Sequence, residues 1–188
     1  MNEKSNPTYE NIISELPQEI KDEIIKMNDF LKSLKPLKFK RMVDKYGTKI
    51  TYVASDYGIS YAIKISDNTI KQNFWWYIVH SGKPETWHRR ADYMEETLIE
   101  IAKADPKLSE RIFNALKVCG NCYGDRCLAK TPYEYNGEKK IFCHGRAEFQ
   151  ITRNESNDIQ SFFRYVNELM KRKADNGDPL PEKIYLMK

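Results

Sequence analysis

Lys49-Ile50-Thr51-Tyr52-Val53-Ala54-Ser55-Asp56-Tyr57-Gly58-Ile59-Ser60-Tyr61-Ala62-Ile63-Lys64-Ile65 decides the fold. Before its centre, Ile50, Tyr52 and Ala54 alternate with Lys49, Thr51 and Val53. Beyond it, Ile59, Tyr61, Ile63 and Ile65 alternate with Ser60, Ala62 and Lys64. Successive strand side chains leave opposite faces, so a period of two marks two strands, each with one buried face. Asp56-Tyr57-Gly58 has the chemistry of a tight turn, and the strands should pair as a hairpin. Leu37 to Tyr46, ahead of Gly47, and Ile70 to His80, ahead of Ser81-Gly82, extend the pattern to a four-stranded antiparallel meander. The alternation predicts that one face is packed by the first helix. The last strand, through Phe74-Trp75-Trp76-Tyr77-Ile78-Val79, is apolar on both faces, so its second face must be covered or must line something.

Helical periodicity surrounds this sheet. Ile20, Ile24, Met27, Leu31 and Leu34 form one stripe between Pro17, suited to a helix start, and Pro36, which stops it. A short turn around Tyr9 to Ile13 precedes it. Further on, Asp92 and Glu95 read as a capping box, followed by Met94, Leu98, Ile101 and Ala102. Asp105-Pro106 is a cap with proline in the first turn, ahead of Leu108, Ile112, Ala115 and Leu116. Asn136-Gly137 is a hairpin turn between Tyr133–Tyr135 and Lys140–Cys143, and 147–151 is a further strand. Ile159, Phe162, Phe163, Val166, Leu169 and Met170 make a closing amphipathic helix. The expected class is α+β: a four-stranded meander packed by helices, then a cysteine-bearing zinc hairpin and a closing helix. Residues 1–117 form the first part and 118–188 the second, packed on the first as one compact unit.

All four cysteines fall in one segment: Cys119, Cys122, Cys127 and Cys143. A CxxC lead with two further thiols is a tetrahedral zinc set, and four thiolates leave no open position for water. One structural Zn²⁺ per chain is therefore expected. The spacing resembles that of zinc-ribbon and treble-clef modules over this segment alone. His144 beside Cys143 is a substitute ligand in a three-cysteine, one-histidine variant. An iron–sulfur cluster fits less well, because the CxxC precedes the x4 spacing instead of following it. A redox Cys119-Gly120-Asn121-Cys122 would need to open a helix, whereas it follows one.

The chain has 188 residues, 40% hydrophobic and 31% charged, with a net charge of +4 spread among acidic residues, as in Glu19, Lys21, Asp22, Glu23 and Lys26. That reads as a solvated mixed-charge surface, and specific DNA binding is not expected. No run is long enough to span a bilayer and no apolar segment follows the N-terminus, so a soluble cytoplasmic protein is expected.

Twelve tyrosines and three tryptophans exceed what a core requires. Tyr52, Tyr61, Trp75, Trp76 and Tyr77 are the candidates for an aromatic wall that binds a small molecule or a protein partner. Alternation puts Trp75 and Trp76 on opposite faces. His88, Arg89 and Arg90, just before the Asp92 helix, are candidates for an anion site, although Asp92, Glu95 and Glu96 compete for them. No nucleophile elbow, P-loop, dinucleotide fingerprint or HExxH occurs. A non-enzymatic binding domain is therefore the first reading. An enzyme with a cleft near His80, His88, Arg89 and Arg90 is the second. A nucleic-acid-associated zinc segment carrying Lys130, Lys139, Lys140 and Arg146 is the third.

Overall fold

A computed structural model describes residues 7–54, 59–66, 69–76, 91–116, 131–142, 145–150 and 152–178. Two N-terminal helices come first, α1 (Tyr9–Ser14) and α2 (Gln18–Ser33). Thr8 caps α1 by accepting from the Asn11 amide at 3.2 Å. Pro17 stands at the start of α2, and Ile24, Met27 and Leu31 form its buried stripe.

Four strands follow: β1 (Lys40–Val43), β2 (Lys49–Ala54), β3 (Ile59–Ser66) and β4 (Thr69–Trp76). They pair antiparallel in sequence order, as the alternation requires. The next elements are α3 (Ala91–Ala104), α4 (Pro106–Ala115), the hairpin β5 (Thr131–Tyr135) and β6 (Glu138–Phe142), then β7 (Gly145–Gln150) and α5 (Arg153–Asn176). Asp92 lies within α3 and not ahead of its first turn, so it is not the cap that the Asp92/Glu95 spacing suggested. The β5–β6 turn is the expected one: Asn136 and Gly137 both have positive φ, 50° and 79°, as an Asn-Gly hairpin turn needs.

The main departure is the size of the sheet. It has five strands in the order β1-β2-β3-β4-β7, not four. β7 pairs with β4 from Trp76 opposite Gly145 to Lys71 opposite Gln150. The reason is the unpaired edge: without β7, β4 would present a row of backbone N–H and C=O groups with no partner.

The helices share one face. Ile50, Tyr52, Ala54, Ile59, Tyr61 and Ile63 join Ile24, Met27 and Leu31 of α2 in one buried cluster, together with Leu108, Ile112 and Phe113 of α4. α2 packs on this face as the alternation predicts, and α5 shares it. Phe163 of α5 is fully buried and meets Phe39 edge-on at 5.6 Å and Tyr61 at 6.1 Å. Some polar groups inside this layer are paired: Tyr61 donates to Gln72 Oε1 at 2.7 Å, and Gln72 Nε2 donates to Ser156 Oγ at 3.1 Å. Arg111 forks onto Asp158 at 2.7 and 2.8 Å, tying α4 to α5.

Asp105 caps α4 through Leu108 N–H at 2.9 Å, with Pro106 in the first turn. Asp105→Ala should cost about 1 kcal/mol, the usual worth of such a cap, read as a shift of the urea midpoint without a change of slope. No loss at all would mean that the amide finds water equally well.

Candidate functional site: the second face of the sheet

Strand register divides the sheet's side chains cleanly. Tyr52, Tyr61 and Gln72 belong to the helix-covered face. The opposite face is built from rows of directly paired positions. One row runs Lys49, Lys64, Lys71. The next runs Met42, Thr51, Ala62, Asn73. A third runs Lys40, Val53, Ser60, with Trp75 of β4 in register opposite Ser60. Side chains directly opposite in an antiparallel pair share a face and lie about 5 Å apart.

The middle of this second face is closed to solvent. Ser60, Ala62 and Asn73 have no exposed surface and Val53 only 4%, yet Val53 and Ala62 are not part of the helix-side core cluster. Two of the four are polar. Ser60 Oγ and both amide atoms of Asn73 have no hydrogen-bond partner among the described residues. Asparagine is depleted from strands, and a buried amide or hydroxyl left unpaired costs about 1–3 kcal/mol. A surplus of such groups at one place is characteristic of sites where binding has been favoured over packing.

One end of the face is a cleft of about 420 Å³ lined by Asp44, Thr48, Lys49, Lys64, Ile65, Ser66 and Lys71. Lys49 is opposite Lys64 and Lys64 opposite Lys71, so three lysines occupy directly paired positions on three adjacent strands. Burial first, and then the charge of Lys64, lower the Lys49 ammonium below its ordinary range, with Asp44 opposing. Asp44 orders the β1–β2 turn: its carboxylate accepts from the Lys49 amide and from the Thr48 hydroxyl, each at 2.8 Å.

The candidates named from sequence divide differently. Tyr52 and Tyr61 are 1% exposed on the helix-covered face, away from the second face. The Tyr52 hydroxyl meets Asn28 Oδ1 at 3.3 Å, and burial pushes both phenols above their ordinary range. Trp75 and Trp76 occupy β4 in register with Ser60 and Ile59. Tyr77, His80, His88, Arg89, Arg90, Cys119, Cys122, Cys127, Cys143 and His144 lie outside the described residues. Among the described residues no group of three or more histidine, cysteine or acidic side chains could hold a metal, and no helix is long and apolar enough to cross a membrane.

Sequence reading missed the lysine row and Asn73. The signal was present: Lys49 and Lys64 are equally far from the four residues Ser55-Asp56-Tyr57-Gly58, one longer than the turn read from sequence, and Lys64 and Lys71 equally far from Asp67-Asn68. Counting outward from both turns aligns all three.

Comparison with protein-family models, with curated proteins and with solved structures finds no match.

Proposed function

We propose that this chain is a non-enzymatic ligand-binding domain whose recognition surface is the second face of the sheet, with Cys119, Cys122, Cys127 and Cys143 holding one structural Zn²⁺. The observation that carries the binding reading is the pair Ser60 and Asn73 on the second face, fully buried with side-chain atoms that have no partner among the described residues. A small molecule that displaces the groups covering them satisfies the amide and the hydroxyl with its own donors and acceptors, whereas an apolar core would have selected valine or alanine there. Trp75 keeps its place in this reading through its strand position opposite Ser60. The zinc reading rests on the cysteine spacing alone.

The test is a stability measurement paired with native mass spectrometry. Ser60→Ala removes one oxygen and no volume worth packing, and Asn73→Val replaces the amide with a strand-forming side chain. Each should leave stability unchanged or raise it by about 1 kcal/mol, roughly 2–4 °C in Tm for a chain of this length. The purified wild type should carry a noncovalent small molecule that Asn73→Val lacks. A loss of more than about 1 kcal/mol in Ser60→Ala would show that the hydroxyl is paired inside the protein, and the reading would fall.

A further inference from the structure

The chain holds two Asn-Gly pairs, Asn136-Gly137 and Asn176-Gly177, and the fold gives them different backbone settings. An asparagine followed by glycine carries a latent reaction, because the glycine amide nitrogen, unshielded by a side chain, can attack the asparagine side-chain carbonyl carbon. All four residues are exposed, so access to water does not separate the pairs. Backbone geometry does. Asn136 and Gly137 are the central residues of the β5–β6 turn, with φ of 50° and 79°, a type I′ turn. The closing hydrogen bond of such a turn joins the flanking residues, here Tyr135 and Glu138, and leaves the Gly137 amide out. Neither that amide nor the Asn136 side chain has a hydrogen-bond partner among the described residues. Asn176, by contrast, ends α5, and the Gly177 amide donates to the carbonyls of Lys173 and, at 3.2 Å, Ala174. Asp178 N–H donates to the Lys173 carbonyl at 2.9 Å and completes a Schellman cap.

We propose that Asn136 is a self-modifying position, converted with water to aspartate and isoaspartate, while Asn176 is held back by its helix cap. The Gly137 nitrogen loses its proton to base and bonds to Asn136 Cγ. The Cγ–Nδ2 bond breaks, and ammonia leaves after taking up a proton. The product is a five-membered cyclic imide. Water opens the ring at Cγ to give aspartate, or at the main-chain carbonyl to give isoaspartate. In sum one ammonia is released and one water consumed. The turn suits the ring, because closure fixes the asparagine ψ near about −120°, the value at the first central residue of a type II′ turn. Types I′ and II′ share a positive φ at that residue and both close two-residue hairpins. Only the peptide plane between residues 136 and 137 has to turn over, and glycine accepts the negative φ that results. Turning the peptide between 176 and 177 instead breaks the bonds of the Gly177 amide.

The two products differ in consequence. Aspartate tolerates the left-handed region and keeps the turn. Isoaspartate adds one carbon to the main chain inside a two-residue loop, and loop length fixes the register of the strands it joins. Tyr135, directly before the turn, packs on Phe113 of α4 with ring centroids 5.2 Å apart, and Glu134 pairs with Lys139 at 3.2 Å across the hairpin. The first contact ties the hairpin to the helices and the second ties its strands together. Isoaspartate displaces both.

Peptide mapping by mass spectrometry tests this on the full chain, held folded in mildly alkaline buffer and sampled as it ages. Conversion at Asn136 should run at least about fivefold faster than at Asn176, the worth of one typical hydrogen bond expressed as a rate. In concentrated urea both pairs lose their backbone setting, and their rates should come within about twofold of each other. Isoaspartate, separated from aspartate by chromatography, should be present among the products at position 136. In the aged protein, amide exchange should quicken across residues 131–142 and stay unchanged in β1 to β3. Equal rates at the two positions in the folded chain, a faster Asn176, or the same ratio in urea as in buffer would each overturn the assignment. Unchanged exchange across the hairpin after isoaspartate has formed would overturn its displacement.

Discussion

Phe163→Ala should remove about 3–5 kcal/mol of stability, the usual loss for a buried phenylalanine, out of a total of about 5–15 kcal/mol for a domain. Phe163 has no exposed surface and stands where α5, the sheet and the segment before β1 meet. Its ring contacts Phe39, Tyr61 and Phe162 with centroids 5.6, 6.1 and 5.8 Å away, each in an edge-to-face arrangement. Each such pair adds about 0.5–1.5 kcal/mol beyond the area it buries. Truncation also opens a cavity that neighbouring rings cannot fill without leaving their rotamers. Urea unfolding measures the loss, with Tyr46→Ala as control, since Tyr46 is 73% exposed and should change stability by less than about 0.5 kcal/mol. A loss below about 1 kcal/mol in Phe163→Ala would mean that α5 does not seal the sheet.

Cys143→Ser should abolish retention of the proposed zinc. Protein purified without added metal should contain about one zinc per chain, and the variant close to none, because a structural site loses its closed shell with one thiolate. Iron with visible absorption, or four free thiols and no metal, would end the zinc reading. The sequence pattern alone suggests that the meander stays largely folded in this variant. The register refines that expectation: β6 ends at Phe142 and β7, the fifth strand of the main sheet, begins at Gly145. A change at position 143 should therefore reach β7 and its partner β4, while β1, β2 and β3 keep their protection. Amide hydrogen exchange distinguishes this from a uniform loss.

Much of the fold is legible in local patterns, and particular residues show why. Ile24, Met27 and Leu31 announce α2 because a helix repeats its face every three to four residues, and all three are buried. Asp105-Pro106 and Asn136-Gly137 announce a cap and a turn because those side chains suit those backbone angles. The second face is different. Thr51, Ser60, Ala62 and Lys64 read as the small and polar side of a strand, but nothing local says that Ser60 is sealed from water while Lys64 is exposed. Nor does local pattern assign Tyr52 and Tyr61 to a pocket or a core; both lie under the helices.

The sequence by itself therefore determined the strands, most of the helix limits, the antiparallel order of β1 to β4 and the clustering of all four cysteines. These depend on periodicity, turn chemistry and spacing between near neighbours in the chain. Only the tertiary structure decided that β7 completes the sheet beside β4, that α5 shares the core face with α2, and that Asn73 and Ser60 are buried without described partners. Those facts depend on contacts between residues far apart in sequence, where the gain from pairing an edge or filling a face outweighs the cost of closing the intervening chain. The lysine row stands between the two. Each lysine is an ordinary polar strand residue, and only the register of two successive hairpins sets Lys49, Lys64 and Lys71 side by side.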